Sequence, residues 1–348
     1  MPDTARRVWI ASARYDLPLI ILAPLCGILI CAIARVVGET TLLSHGFVEA
    51  NIFVLGMPHY LSTYTFYMGD ENLAHYRTRK LAFFIGPVLV VFAMIGALAA
   101  GLAYFVAAIV AVWNTYHVSR QSSGILSAYR HRAGGDNARE KWPALITLVG
   151  SAFALFMLGI NQQAIANLFG GRLLPAVHIA TPIVFAVAAL GAIRLAFLMA
   201  KRSAAPAEWL FLASSILLFM PYLLVHSATL ATSALLSGHF VQYMAMLWLI
   251  NRRKYTQRLG SIAQKTLHSV ASRPAIVVAV LLSFAIVPFA FDRVLHFENW
   301  MAFHTVWLNA IVLLHFYLDG LFWAFKDPYT RQSLGPFLVW HESLASAN

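Results

Sequence analysis

Four histidines stand inside long apolar runs of this chain, each surrounded by polar side chains that such runs rarely hold. His59 falls in Gly56-Met57-Pro58-His59-Tyr60, and His117 in Trp113-Asn114-Thr115-Tyr116-His117-Val118-Ser119-Arg120-Gln121. His239 falls in Ser237-Gly238-His239-Phe240-Val241-Gln242-Tyr243, and His315 in His315-Phe316-Tyr317-Leu318-Asp319. Ionisable groups at membrane depth are expensive, and by default they mark function. Neutral imidazole is a good ligand for iron, zinc and copper, and the facing helices of a bundle can bring several imidazoles onto one ion. On a helix, Arg120 and Gln121 share the face of His117, Gln242 and Tyr243 share that of His239, and Asp319 lies one turn beyond His315. Asp319 is therefore either a ligand beside His315 or the acceptor of the imidazole's other N–H, fixing its tautomer. Arg120, Gln121 and Gln242 are candidates to orient ligands or bound oxygen species, and Tyr60, Tyr116 and Tyr243 to donate hydrogen bonds or protons. Pro58, just before His59, frees a backbone carbonyl and predicts a kink beside the site.

The elements that must carry these residues are membrane helices. The chain of 348 residues is 60% hydrophobic and 11% charged, with a mean hydropathy of +0.71, against about 25% charged for a soluble domain. That balance excludes a soluble globular protein and a disordered one. No polar linker divides the chain, so residues 1–348 read as a single integral membrane domain of all-α class. Hydropathy gives about ten transmembrane helices, with approximate spans 17–37, 47–68, 81–99, 101–122, 143–165, 175–199, 207–226, 228–250, 274–291 and 302–325. With both termini cytoplasmic, the inner segments hold all of the 25 Lys and Arg, including Arg6, Arg7, Arg139, Lys141 and Arg258, except Arg35, Arg172 and Arg293 outside and Arg194 within a span. The net charge of +11 is thus an orientation signal rather than a nucleic-acid footprint. The first apolar run, of about 20 residues, exceeds a signal-peptide core and predicts an uncleaved span. Cys26 and Cys31 are five residues apart on one helix and cannot bridge.

With this orientation, His59, His239 and His315 lie about nine to eleven residues from the cytoplasmic end of their spans, roughly 15 Å deep. His117 joins them if the fourth helix continues to about Arg130. A single intramembrane histidine is more often a hydrogen-bond partner between helices than a ligand, but four at one depth in polar sequence favour a shared metal site. Asp70, Glu71 and His75 form a cytoplasmic layer able to hold a second metal or a proton path. His178, His226 and His304 form an outer polar layer apart from the site. Arg120 and Arg130, read blandly, snorkel to headgroups. No HExxH or CxxC pattern occurs, nor the clustered HxxH repeats of membrane desaturases, which disfavours a di-iron desaturase.

On Gly56-Met57-Pro58-His59, within a chain bearing isolated histidines on separate helices, the sequence resembles the bacterial beta-carotene dioxygenase family. The shared stretch is G-[IM]-P-H, and the family commonly has Gly where this chain has Tyr60. The resemblance implies that His59 is an iron ligand, and it favours non-haem Fe2+ over zinc or copper and dioxygen over water as the co-substrate, with zinc, copper and haem left as alternatives. The expectation is a multi-pass protein of the bacterial inner membrane, a non-haem iron oxygenase whose metal is held by His59, His117, His239 and His315 with Asp319. Its substrate is a hydrophobic small molecule, a lipid or isoprenoid of carotenoid type, reached sideways from membrane lipids. Two alternatives use the same residues: a proton-coupled transporter or channel, and a haem-binding electron-transfer protein with paired axial histidines.

Overall fold

The computed structural model describes residues 8–134, 142–160, 172–256, 260–294 and 300–338. Arg6, Arg7, Arg139, Lys141, Arg258, His296, His341 and residues 161–165 lie outside the described residues, as do the side chains of Arg293 and His304. Every regular element among the described residues is helical. The helices are α1 (Pro24–Val37), α2 (Leu42–Asn51), α3 (Met57–Ser62), α4 (Asp70–Thr78), α5 (Gly86–Ala99), α6 (Ala103–Arg132) and α7 (Trp142–Ile160). They continue as α8 (Leu174–Lys201), α9 (Pro206–Leu217), α10 (Ala228–Lys254), α11 (Ile262–Ser272), α12 (Pro274–Val294), α13 (Trp300–Phe322) and α14 (Pro328–Leu338). Wide π turns at Leu17–Ile21, Ile52–Gly56 and Leu81–Ile85 each run into a helix with proline near its start.

Among the described residues three helices are long and apolar enough to cross a membrane, Leu81–Ala99, Leu174–Lys201 and Ala228–Lys254. The number rises to five if Ala13–Ile21 with α1, bent by 42°, and α11 with the first part of α12, bent by 109°, are each one span. Ten were expected; the expected spans 143–165, 274–291 and 302–325 lie partly outside the described residues and side chains, and three others differ for physical reasons. The second expected span is divided into α2, a π turn, α3 and a 3-10 stretch, Thr63–Met68. The seventh is interrupted between Leu217 and Pro221. The fourth is the N-terminal part of the unbroken 30-residue α6, which runs past His117 as required, but the polar stretch around that histidine lowers its hydropathy.

The chain forms two compact units. One comprises Met1–Asn51 and Val112–Tyr243. Its α7 packs along α8, and the π turn before α1 packs against α9. Pro24 has no N–H to give the Ile20 carbonyl four residues earlier. Gln242 of α10 supplies the donor instead, its Nε2 lying 2.7 Å from Ile20 O. A Cβ on Gly27 would collide with the Ala234 carbonyl, so α1 and α10 touch backbone to backbone there. Asn51 ties α2 to α10 through Nδ2, 2.8 Å from Ser233 O. At one end of this unit Glu39 accepts the backbone N–H groups of His226 and Ser227, both at 2.8 Å, just before α10 begins.

The other unit comprises Ile52–Ala111 and Met244–Asn348. Met94, Val106 and Leu313 are the buried centre of a small core shared by α5, α6 and α13. Gly86 N–H reaches back five residues to Leu81, which leaves the Ala82 carbonyl to Tyr317 Oη at 3.0 Å. Pro87 likewise has no N–H for Phe83, whose carbonyl accepts Tyr67 Oη at 2.6 Å. Asn72 accepts from both Lys254 Nζ (3.0 Å) and Tyr329 Oη (2.8 Å) and donates to Phe66 O, fastening α4, α10 and α14 together.

Two outcomes test these contacts. Gly27→Ala should lower the thermal midpoint of purified protein by the equivalent of about 1–3 kcal/mol, whereas Gly46→Ala, with open space around the new methyl, should not. Burial pushes the Glu39 carboxyl up, but the bonds from Ser227 and His226 outweigh it and hold the group below its usual range. Its stabilising contribution is therefore present above the ordinary carboxylate pKa and is lost as pH falls through the lowered folded value. Wild type should melt above Glu39→Gln at about pH 6, and the gap should close on acidification towards about pH 3.

Candidate metal centre

In the second unit the segment from Ile52 to Met68 changes helix type twice. Pro58 cannot continue the preceding ladder, so the kink expected beside His59 appears as the π turn Ile52–Gly56 followed by the short α3. This irregular backbone carries His59, Tyr60 and Thr63, all buried. His315 and Asp319 come from α13, one turn apart, and are buried too. The His59 and His315 rings stand edge to face with centroids 4.3 Å apart, and Tyr60 is 5.3 Å from His315.

Thr63 joins the two elements. Its Oγ1 is 2.8 Å from His315 Nδ1 and donates to Asp319 Oδ1 at 3.3 Å. A hydroxyl has one proton, so if Asp319 receives it, Nδ1 must carry the imidazole hydrogen and Nε2 the lone pair. Nε2 is 3.6 Å from Asp319 Oδ2. A lone pair and a carboxylate oxygen at that separation suit two ligands of one cation, or two partners of one proton. In that arrangement Thr63 fixes the His315 tautomer, one of the two roles open to Asp319, and the Asp319 carboxylate faces Nε2 with its other oxygen.

In the first unit α6 and α10 each contribute one imidazole. His117 and His239 are buried, with ring centroids 5.1 Å apart and planes at 84°. Gln121, one turn on from His117, points its Nε2 at the His239 carbonyl, 3.5 Å away. Gln242, expected to orient a ligand, instead spends its amide N–H groups on Ile20 O and on Ser214 Oγ at 3.3 Å. Tyr243 is buried beside it in sequence, while Tyr116 is 52% exposed and Arg120 is exposed. The structure therefore brings Gln121 to the His117–His239 pair and leaves Tyr116 and Arg120 at the surface.

His and Asp side chains able to hold a metal ion are present among the described residues, namely His59, His117, His239, His315 and Asp319. Imidazole nitrogens with one carboxylate form a donor set suited to a divalent first-row metal. Of the residues expected in a cytoplasmic layer, Asp70 accepts Ser261 N–H at 3.2 Å and His75 stacks flat on Tyr329 at 3.7 Å. In the outer layer, His226 lies 3.4 Å from Glu39 Oε1 and 3.3 Å from Arg35 Nη1. No family model, curated protein or solved structure matches the chain.

Sequence reading missed Thr63. The signal was present: it lies four residues after His59, on the same helical face, as a hydroxyl in an apolar run. Thr63→Val keeps the side chain's shape and deprives buried Asp319 of a donor. It should destabilise the protein by about 1–3 kcal/mol in chemical unfolding, with Thr63→Ser close to wild type.

Proposed function

We propose that this protein is a membrane-embedded, non-haem iron, O2-using oxygenase acting on a lipid or isoprenoid of carotenoid type. The reading includes a bundle of about ten spans in the bacterial inner membrane, with both termini cytoplasmic. In it His59, His117, His239 and His315, with Asp319, hold one Fe2+. The observation that carries it is the buried pair His59 and His315, 4.3 Å between ring centroids, with the Asp319 carboxylate alongside. Matched depth in the sequence directs all four histidines to one ion, and the Gly-Met-Pro-His stretch favours iron.

Bound iron would supply the binding and activation of dioxygen at an open coordination position. The chain's own part is to hold and orient. Thr63 keeps His315 in the tautomer that presents Nε2, Gln121 steadies the backbone at His239, and Tyr60 packs beside His315. The reading takes a hydrocarbon substrate and O2 from the surrounding lipid as partners, and no nucleic acid. A proton-coupled carrier is the second reading, favoured by the Thr63 bridge, since a hydroxyl between imidazole and carboxylate is also a proton relay.

Element-resolved metal analysis and an absorption spectrum of the purified protein separate these readings. Roughly one iron per chain without a Soret band is expected, falling about tenfold or more in each His→Ala variant. Stoichiometric metal in all four variants, a haem spectrum, or protein without metal that carries out pH-driven flux in liposomes overturns the assignment.

A further inference from the structure

Helices α11 and α12 meet at a bend of 109°. Leu267 and Ala271 on one face of α11 are buried, whereas Ile262, Lys265 and Thr266 are exposed. A helix with such faces turns one side to the protein and leaves the other to its surroundings. Beyond the bend, α12 exposes Val278, Leu282 and Ile286, as a helix entering the hydrocarbon layer would. The elbow packs on the segment from Ile52 to Met68, which carries His59.

Beneath the elbow is a cavity of about 80 Å³ whose wall includes Trp248, Leu267, Ala271 and Val280, with Ser62 and Thr65 as its floor. Its polar atoms are largely engaged within the wall. Trp248 Nε1 donates to Ala271 O at 3.1 Å, Ser62 Oγ to His59 O at 2.8 Å, and Thr65 Oγ1 to Ser62 O at 2.7 Å. The cavity therefore offers hydrocarbon to an occupant. Asn251, also in the wall and next to the basic end of α10, supplies a polar group at the cytoplasmic side. The space is smaller than the ~150 Å³ that admits benzene and far below the ~300 Å³ at which whole-ligand pockets begin. It fits one end of a chain, and it lies one helical turn, about 5 Å, from His59 along α3.

We infer that the elbow cavity receives the tail of a membrane-resident amphiphile, an isoprenoid or acyl chain drawn from the cytoplasmic leaflet, and guides it along α3 towards His59. The role given to His59 rests on the proposed oxygenase reading, but the cavity's preference for a hydrocarbon chain does not depend on metal.

The test is photolabelling of the full-length protein in lipid nanodiscs with a diazirine-bearing prenol and, separately, a diazirine-bearing fatty acid, followed by peptide mapping. Label concentrated on residues 244–251 and 267–281 is expected, with the stronger probe naming the chain type. Ala271→Phe, or Val280→Phe if the first variant does not fold, should cut that label about tenfold, whereas Val278→Phe on the exposed face should not. Retention of the label in His59→Ala protein supports the cavity even if the metal assignment fails. Label spread evenly over α5 and α8, or unchanged in both cavity-filling variants, overturns the inference.

Discussion

A backbone carbonyl that loses its helical partner inside an apolar layer must find another donor, because no water is there to supply one. That constraint organises much of this structure. Pro24 orphans Ile20, and Gln242 answers it. Pro87 orphans Phe83, and Tyr67 answers it. The π turn ahead of Gly86 leaves Ala82 to Tyr317. Each remedy is a long-range contact made by a polar side chain that would otherwise be costly to bury, so the broken helices and the buried polar groups balance one another. Deleting only the proline or only its polar partner would leave the other unmatched.

The same rule shapes the candidate centre. Irregular backbone from Ile52 to Met68 sets His59 and Thr63 against α13, where Thr63 meets an imidazole and a carboxylate with a single proton to share. The proton's location decides which nitrogen of His315 is exposed as a ligand, so a modest hydroxyl carries more chemical weight than several residues with richer side chains. Tyr116 and Arg120, which occupy a polar stretch within an expected span, lie at the surface, where a guanidinium can remain hydrated.

Much of this was legible from residue order. The four histidines, the break at Pro58, the continuation of the fourth helix through Arg130 and the pairing of His315 with Asp319 follow from hydropathy and from spacings of three and four residues. The count of spans was less legible, because a hydropathy window passes smoothly over a helix that changes from α to π to 3-10, as between Leu42 and Met68. The task of Gln242 was misread for a related reason. It shares a helical face with His239, yet its partner is a carbonyl 222 residues away.

By itself the sequence determined the apolar setting and which polar residues stand inside apolar runs, because these depend on composition and on short-range helical periodicity. Only the tertiary structure decided which of them meet. Thr63 and His315 are 252 residues apart, and no local period encodes a contact of that range. It arises when packing of α3 and the following turn against α13 leaves one arrangement in which the buried donors and acceptors are matched.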